Sequence, residues 1–418
     1  MSQMIYAGSV GTPSALCKAA VKGSISGNGE GTYSILLRDD YSMQLMGTVP
    51  VDNAGILCIS SDRKYVYAAN ECKDFDRGLN GSGGGVTAFK VKEDGTLEKI
   101  NDSISYGSRA SSVAVTEDNR YLVVSNHGSH TTVVCRYVQN DRGEWELQRG
   151  FDDASVALFS LQENGGIGRL CDLKVFDGHG YWIHGGGQST SHLHCVRIKE
   201  DYVVSCNRGA DSLEFMKIDR EAETLTLLSR NHTKRGLAPR HAAFHPSKDL
   251  LYVCNENYAC ASVYQVDYQG GRLHHLQTLP SMGEDYMAAH PIPDFTKEHC
   301  DRDEANTSCM GDLRRVSPSD IHVSSDGAHV YVANRTIKGN SASIASYQVL
   351  KDGTLALTGV NPLEGGDPRG FRLLDDSHLI VGLLEKGLVC VYSLDDRGMF
   401  REKVSEASIP ACASFVLG

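Results

Sequence analysis

Six short strands in the sequence are each followed by an ionisable residue. Each strand ends in Asn, or in Leu384 in the last copy, and the residues that follow are Glu71, His127, Arg208, Glu256, Arg335 and Glu385. A second set of polar residues lies where the preceding strand of a unit begins, namely His192, His194, Arg240 and Arg369. Arg240 precedes Glu256 by 16 residues, and Arg369 precedes Glu385 by 16 residues. The regular spacing indicates that the two sets share one place in a repeated unit.

These residue types suit the recognition of an anion beside a base. Two arginines can bind a carboxylate or phosphate in bidentate fashion, and a neighbouring carboxylate can accept a proton. Any one member alone is also well explained as a turn residue, since Asn and charged residues are common in turns. Arg240, Glu256 and Arg335 together predict an enzyme site. His194 and His322 lie near the start of inner strands, where an imidazole could donate to a ligand.

Other kinds of chemistry have less support in the sequence. His192 and His194 form a closely spaced pair, but no third and fourth ligand follows at the spacing typical of zinc. Oxygens of Glu71, Glu256 and several Asn residues could hold calcium. We nevertheless predict that the protein needs no metal and no cofactor. No G-x-S-x-G element occurs, so a serine nucleophile on a strand–turn–helix is not indicated.

The elements that must position these residues repeat along the chain. A strand–turn–strand unit recurs with starts at Ala54, Ala110, Ser191, Ala238, Pro318 and Pro368. One such unit cannot bury its own apolar face, so repetition predicts a repeat architecture. An unmatched N-terminal segment and a C-terminal strand raise the number of predicted units to seven. A β-sandwich is the alternative, but it does not explain the repetition.

We therefore predict an all-β fold, a seven-bladed β-propeller with four-stranded antiparallel blades. Pairing of Cys412–Leu417 with the N-terminal strands would close the ring and protect the sheet edges. The whole chain, 1–418, is expected to form a single domain with insertions near 139–154 and 281–316. In a propeller, the start of the innermost strand and the end of the second strand lie on one face near the axis. The ionisable residues should therefore surround one mouth of the central channel.

Composition limits the class of protein and the kind of partner. The net charge of −11 offers no basic face for nucleic acid. No run of residues approaches the about 20 apolar positions of a membrane span, and the N-terminus lacks the pattern of a signal peptide. The 13 cysteines are scattered and include no CxxC pair, which favours a reducing compartment. We expect a cytoplasmic protein, monomeric or a small homo-oligomer, without nucleic-acid or membrane partners.

Several motifs resemble those of a known family. The phrases PRHAAFHPSKDLLYVCNE, PSDIHVSSDGAHVYVANR, PRGF and IPACASFVL are similar to the seven-bladed propeller lactonases. That family includes bacterial propeller-type 6-phosphogluconolactonases and fungal 3-carboxy-cis,cis-muconate cyclases. The resemblance implies an active set of His, Arg, Glu and Arg, matched here by His194, Arg240, Glu256 and Arg335. His322 matches a His common in the lactonase branch, whereas Asn207-Arg208-Gly209 replaces the family's Asp-Leu-Gly.

The expected function is hydrolysis of a sugar-derived lactone, with 6-phosphoglucono-δ-lactone or a close relative as the substrate. Glu256 would act as the general base, Arg240 and Arg335 would bind the oxyanion or an anionic group, and His194 would deliver or orient a proton. Further residues are predicted to bind the anionic lactone, namely His322, Arg369, Arg208, His192, Glu71 and His127. The alternatives are a muconate-type lactonising cyclase or isomerase and a non-catalytic propeller that binds a partner.

Overall fold

Short strands rich in Val, Tyr and Ala fill the chain and pair in antiparallel fashion with their sequence neighbours. The computed structural model describes residues 2–11, 28–76, 78, 81–183, 187–300, 316–336 and 342–418. Within these ranges the strands form seven four-stranded sheets and one two-stranded sheet. Each four-stranded sheet is a blade, and we number the blades I to VII in chain order.

Blade I combines both ends of the chain. From the innermost strand outwards it contains β30 (Cys412–Leu417), β1 (Gln3–Ser9), β2 (Gly31–Leu37) and β3 (Met43–Pro50). Strand β30 runs antiparallel to β1, with Leu417 opposite Ile5 and Phe415 opposite Ala7. The predicted closure of the ring by N- and C-terminal strands is therefore confirmed.

The next three blades follow in chain order. Blade II contains β4 (Ala54–Ile59), β5 (Tyr65–Asn70), β6 (Gly85–Val91) and β7 (Leu97–Ile104). Blade III contains β8 (Ala110–Val115), β9 (Tyr121–Asn126), β12 (Ala154–Leu161) and β13 (Ile167–Phe176). Blade IV contains β14 (Leu193–Lys199), β15 (Tyr202–Asn207), β16 (Ser212–Asp219) and β17 (Thr224–His232).

Three further blades complete the ring. Blade V contains β18 (Pro239–Phe244), β19 (Leu250–Asn255), β20 (Cys260–Asp267) and β21 (Arg272–Pro280). Blade VI contains β22 (Val316–Val323), β23 (His329–Thr336), β24 (Ser343–Val349) and β25 (Leu355–Pro362). Blade VII contains β26 (Pro368–Asp375), β27 (His378–Leu383), β28 (Leu388–Leu394) and β29 (Phe400–Ser408). The innermost strands β4, β8, β14, β18, β22, β26 and β30 contact one another in a closed circle around the channel.

The hydrophobic core lies between the blades. Seven main clusters of buried side chains each join two neighbouring blades, so every blade buries both faces of its sheet. Tyr252 in blade V shows the pattern, because its ring is fully buried and its hydroxyl donates to the carbonyl oxygen of Gly353 in blade VI at 3.1 Å. Removing a core side chain of this size costs about 3–5 kcal/mol. The blades therefore hold the innermost strands in place from outside the channel.

Two segments extend beyond the blade pattern. The first is a hairpin of β10 (Ser129–Gln139) and β11 (Trp145–Asp152), which forms the two-stranded sheet. The hairpin begins before the predicted insertion at 139–154. The prediction assigns the apolar run before 139 to blade III, whereas the third strand of that blade is β12. The second segment follows blade V and contains a short helix, α1 (Glu284–Ala289). Residues 301–315 of the predicted insertion at 281–316 lie outside the described residues.

Candidate active site

A β-bulge at the start of every innermost strand shapes one mouth of the channel. In β18, Pro239 pairs with Asn255 and His241 pairs with Cys254, so Arg240 between them is the extra residue. The same shift in register occurs in all seven blades. The bulged residues are Ala413, Gly55, Ser111, His194, Arg240, Ser319 and Arg369 in blades I to VII. A bulge re-aims a side chain that regular pleating would direct elsewhere, which is why bulges are common next to active sites.

The predicted column of residues after the second strands lies at the same mouth. Strands β5, β9, β15 and β19 end at the expected Asn residues, and β23 continues through Asn334 to Thr336. The last copy departs from the prediction. Pro368 pairs with Leu383, so Leu384 occupies the strand-end position that carries charge in the other copies. Glu385 lies exposed in a 3₁₀ turn, Leu384–Lys386, and takes no part in the site.

Glu256 is the centre of the charged cluster. Its Oε1 lies 3.0 Å from Nη2 of Arg335, and its Oε2 lies 2.5 Å from Nε of Arg208. Nε of Arg240 is 3.8 Å from the same Oε2. All four side chains are at least nine-tenths buried. Buried charges of this kind persist only when they are paired, and each guanidinium here shares one carboxylate with two others.

Contacts with neighbouring residues also hold the side chains of Arg335 and Arg240 in place. Arg335 donates from Nη2 to the hydroxyl of Ser317 at 2.8 Å, and its Nε is 3.8 Å from Oδ1 of Asp367. Arg240 donates to the carbonyl oxygen of Ser319, the bulged residue of the next blade. Backbone and side-chain acceptors thus orient both guanidiniums, which lowers the entropy cost of using them on a ligand.

A second carboxylate, Glu71, completes the ring of charges. It pairs with Arg109, and its Oε2 lies 3.9 Å from Nη2 of Arg369. Burial by itself raises the pKa of Glu71, but Arg109 and Arg369 outweigh that effect and the net pKa is lowered. Glu71 is therefore an anion at neutral pH and acts as a counter-ion to the arginines.

The mouth carries excess positive charge. Five guanidiniums, from Arg109, Arg208, Arg240, Arg335 and Arg369, face three carboxylates, from Glu71, Glu256 and Asp367, which leaves two positive charges among the described residues. Burial, reinforced by the neighbouring arginines, lowers the pKa of Arg240 to about 9. Burial and Arg335 likewise lower the pKa of Arg369. At Arg335, in contrast, burial is outweighed by Asp367 and Glu256, which raise the pKa. Repulsion from neighbouring arginines at Arg240 and Arg369 would be relieved by an anionic ligand.

Three histidines form the wall between blades III and IV. The rings of His127 and His192 stack with centroids 4.6 Å apart, and His194 meets His127 edge-on at 5.5 Å. Burial and Arg208 lower the pKa of His192 to about 3, and burial and Arg240 hold the pKa of His194 well below its usual range. Nδ1 of His194 is buried and makes no hydrogen bond with any described residue. His192 and His194 are therefore neutral at pH 7.

His322 lies apart from the other predicted residues. It lies three residues beyond the bulged Ser319, inside the channel, and its Nε2 is 3.1 Å from Oδ2 of Asp320. Oδ1 of Asp320 in turn lies 2.9 Å from Nδ1 of His241, whose Nε2 is 3.2 Å from Nη1 of Arg240. The structure therefore brings nine of the ten predicted site residues to the mouth and connects His322 to it only through this chain of hydrogen bonds.

Sequence reasoning missed four members of the arrangement, Arg109, Asp367, His241 and Asp320. Arg109 and Asp367 each precede an innermost strand by one residue, so a search of that entry position would have found them. Arg109 takes a left-handed backbone conformation with a φ of 60°. A non-glycine residue in this region is uncommon and often occurs at functional sites. His241 and Asp320 follow the bulges directly.

The described ranges contain no group of three or more His, Cys, Asp or Glu side chains arranged to hold a metal ion. Among the same residues, no helix is both long enough and apolar enough to cross a bilayer. The predictions of no metal and no cofactor remain predictions.

Fold and site together define a seven-bladed β-propeller with an arginine-rich, buried mouth. Residues 9–417 match the model of the family described as "Lactonase, 7-bladed beta-propeller". The chain therefore belongs to the seven-bladed β-propeller lactonase family. This confirms the predicted family, the predicted fold and the predicted lactonase class of enzyme.

Relatives and solved structures agree with that assignment. A 6-phosphogluconolactonase of Formosa agariphila is 25% identical over 338 residues, which cover 79% of this chain and 78% of the relative. A 6-phosphogluconolactonase of Pectobacterium carotovorum is 28% identical over 200 residues, 47% of this chain and 48% of the relative. The periplasmic gluconolactonase of Pseudomonas aeruginosa has the same fold, with a TM-score of 0.74, 18% identity and coverage of 100% of this chain and 99% of that one.

Proposed function

We propose that the protein hydrolyses a sugar-derived lactone that carries an anionic group, with 6-phosphoglucono-δ-lactone as the first candidate. The observation that carries the proposal is the convergence of Arg208, Arg240 and Arg335 on Glu256 within a mouth that has two excess positive charges. The names of the relatives from Formosa and Pectobacterium support the choice of substrate. Such a substrate would belong to the pentose phosphate pathway, in keeping with the cytoplasmic location predicted from the sequence.

Glu256 is proposed as the general base. When the substrate enters, its carbonyl oxygen competes with the carboxylate for Arg240 and Arg335 and leaves Glu256 free to accept a proton from water. The hydroxide adds to the lactone carbonyl carbon, and the C=O electron pair moves onto the oxygen. Arg240 and Arg335 stabilise that oxyanion, because preorganised cations in a dry site act without reorganisation.

Collapse of the tetrahedral intermediate opens the ring. The carbonyl re-forms, the bond from carbon to the ring oxygen breaks, and the proton held by Glu256 passes to that oxygen. The product is an open-chain acid, which loses its proton to solvent at neutral pH. Each turnover therefore releases one proton, and a pH-stat can count it.

His194 is assigned to orienting the substrate. Burial and the nearby Arg240 hold the pKa of His194 far below 7, so the ring carries no extra proton to deliver. This favours orientation over the proton delivery that the sequence also allowed. The unbonded Nδ1 provides a polar atom for a substrate hydroxyl or for the attacking water.

The anionic group of the substrate is proposed to lie on the blade VII side of the mouth. Nη2 of Arg369 lies 3.9 Å from Oε2 of Glu71. Nη1 of Arg369 is buried and makes no hydrogen bond with any described residue. Arg208, His192 and His127 line the opposite side and would contact the sugar hydroxyls. A phosphate at Arg369 would also place the lactone carbonyl toward Arg240 and Glu256.

The proposal is tested by proton release in a pH-stat on fresh 6-phosphoglucono-δ-lactone. Wild-type protein should hydrolyse the lactone faster than the spontaneous reaction does. The rate catalysed by Arg335→Gln should be about 10²–10³-fold lower than that of wild type. Arg401→Gln, an exposed arginine on β29, removes the same charge far from the mouth and should leave the rate unchanged. Circular dichroism spectra of all three proteins exclude unfolding as the cause.

Two results would overturn the proposal. Absence of acceleration by wild-type protein would exclude this lactone, and equal acceleration by Arg335→Gln would remove the mouth from the reaction. Parallel runs on unphosphorylated glucono-δ-lactone and on a carboxymuconate separate the phosphate-specific lactonase from a broader lactonase and from a cyclase.

A further inference from the structure

The far end of the channel holds a second group of cations. Below the layer of bulges, the channel opens into a cavity of about 490 Å³ lined by the later residues of all seven innermost strands. Arg197 of β14 and Arg372 of β26 both line it, as do His322 and Asp320 of β22. Arg240 and Glu256 of the mouth do not line this cavity, whereas His241, whose Nε2 lies 3.2 Å from Nη1 of Arg240, does.

The two arginines of the cavity lack carboxylate partners of their own. Arg372 lines the cavity, and its Nη1 contacts Nδ1 of His322 at 3.4 Å. Arg197 donates to a backbone carbonyl, that of Val196, at 2.9 Å. Neither arginine has a carboxylate oxygen within ion-pair distance among the described residues, in contrast to the paired arginines at the mouth.

The single carboxylate in the cavity lining is already engaged. Asp320 accepts from His241 at 2.9 Å and lies 3.1 Å from Nε2 of His322. Burial opposes ionisation of Asp320, but His322 and His241 outweigh it and hold the pKa well below the usual range. Burial lowers the pKa of both His241 and His322, so these rings are neutral at pH 7. Two guanidiniums against one carboxylate leave one uncompensated positive charge in the cavity.

The charges of the two arginines also act on each other. After burial, the guanidinium of Arg197 is the next largest cause that lowers the pKa of Arg372. The repulsion between like charges that line one cavity is relieved when an anion enters between them. The cavity has the size of a small-molecule site, for which volumes of about 300–1,000 Å³ are typical. Geometry and charge therefore point to the same ligand chemistry.

We propose that the far end of the channel is a second anion site, in which Arg197 and Arg372 bind a phosphate group beside the ring of His322. Phosphate matches the planar fork of a guanidinium and carries enough charge to neutralise the cavity. The group arrives either as free inorganic phosphate or as part of a small phosphorylated metabolite. The site goes beyond the proposed lactonase function and does not depend on it.

The proposal is tested by isothermal titration calorimetry with inorganic phosphate and, separately, with glycerol 3-phosphate. Arg372→Gln keeps the length of the side chain and removes its charge, and it should weaken the far-end component at least tenfold. Arg372→Lys restores the charge and should recover most of the binding. Arg401→Gln, with the same loss of charge on the outer strand β29, should bind as wild type does.

A local signal distinguishes the far end from the mouth. In protein with ¹³C-labelled histidine, phosphate should shift the resonance of His322, which is assigned by its loss in His322→Asn. The shift should persist in Arg335→Gln, whose change lies at the mouth, and should disappear in Arg372→Gln. Tighter binding of glycerol 3-phosphate than of inorganic phosphate identifies an organic phosphate as the ligand, and equal binding identifies free phosphate.

The proposal fails if Arg372→Gln binds both probes as wild type does, or if phosphate leaves the His322 resonance unchanged in wild-type protein. It also fails if Arg335→Gln abolishes every phosphate-dependent change, because all binding would then occur at the mouth. Loss of lactonase activity in Arg335→Gln with an intact His322 shift separates the fate of this proposal from that of the proposed function.

Discussion

The two halves of the channel mouth use the same backbone feature for different purposes. Blades IV to VII place His194, Arg240, Ser319 and Arg369 at the bulge of the innermost strand, whereas blades I to III place Ala413, Gly55 and Ser111 there. The register shift is common to both halves, so the fold sets the position of the residue and the side chain sets the chemistry. Blades II and III contribute charge by another route, through Glu71 at a strand end and Arg109 at a strand entry.

The difference indicates a division of work within the mouth. Ala413 and Gly55 place little or no side chain at the bulge, whereas Arg240 and Arg369 place guanidiniums there. Ser319 of blade VI is the exception in its half and matches Ser111 of blade III. We infer that the body of the substrate lies over Gly55 and Ser111 while its reacting carbonyl and its anionic group face the arginines. A smaller side chain at a charged bulge should therefore lower kcat, whereas a larger side chain at a small bulge should raise KM.

The largest effect is expected when a charged bulge is made small. Arg240→Ser installs the side chain that blade VI already carries at the equivalent Ser319. It removes one cation from Glu256 and from the proposed oxyanion, so kcat should fall about 10²–10³-fold. Arg240→Lys keeps a cation without the planar fork and should fall between Arg240→Ser and wild type. Hydrolysis rates of both variants, measured in the pH-stat, test this prediction. A rate for Arg240→Ser within threefold of wild type would contradict the role of Arg240 at the oxyanion.

Acid sensitivity should come from the histidines around the charged half. The pKa of His192 and of His241 is lowered to about 3, and that of His194 is also well below its usual range, whereas unfolded histidine has a pKa of about 6.5. The unfolded chain therefore binds more protons between those values, and stability must fall as the pH drops below about 6.5. Each histidine contributes up to ~1.4 kcal/mol per pH unit in that window.

Urea unfolding between pH 7 and pH 5 measures this slope. His241→Gln removes one of the three groups and should reduce the slope by about one proton, whatever the change does to stability at pH 7. Arg401→Gln, which changes an exposed charge and no histidine, is the control and should leave the slope unchanged. Equal slopes for wild type and His241→Gln would show that His241 is not held neutral by the fold.

Contacts between blades should be equivalent in the two halves. The hydroxyl of Ser111 donates to the carbonyl oxygen of Leu193 in the next blade at 2.8 Å, and that of Ser319 donates to the carbonyl oxygen of Pro368 at 2.6 Å. Ser111→Ala and Ser319→Ala should each lower the free energy of unfolding by about 1 kcal/mol. Denaturant melts check both. A loss confined to one variant would show that the two hydrogen bonds do not serve the same purpose.

The smallest effect is expected from a methyl group on the open half. A Cβ at Gly55 would meet Cγ2 of Val10 at 3.8 Å and the carbonyl oxygen of Asn53 at 4.0 Å, which are ordinary contacts. Gly55→Ala should leave the free energy of unfolding within about 0.5 kcal/mol of wild type. If the substrate body lies here, KM should rise about two- to threefold while kcat is retained. An unchanged KM would place the substrate elsewhere in the mouth.

The fold could be predicted because repetition is visible without knowledge of contacts. Six copies of one unit, with chain ends that supply the rest of a seventh, leave few architectures that bury every face. The candidate site was predictable for the same reason, since equivalent positions in the blades converge on the axis. Arg240, Glu256 and Arg335 required only the assumption that the repeats are superimposable.

The failures mark places where one copy differs from the others. Pro239 pairs with Asn255, but Pro368 pairs with Leu383, so the last unit is one residue shorter. A common spacing applied to that unit therefore selected Glu385, which lies outside the site. Similarly, the apolar run before 139 reads as a blade strand, whereas it pairs with β11 in the hairpin, because local pattern does not determine which strand a segment joins.

The most direct test is a crystal structure of the protein with 6-phosphogluconate, the product of the proposed reaction. The account predicts that the carboxylate of this acid lies within hydrogen-bond distance of both Arg240 and Arg335 and that Glu256 does not exclude it from either. Its phosphate should contact Arg369. An acid bound away from Arg240 and Arg335, whether on the outer surface or only beside Arg372, would contradict the assignment of the mouth as the active site.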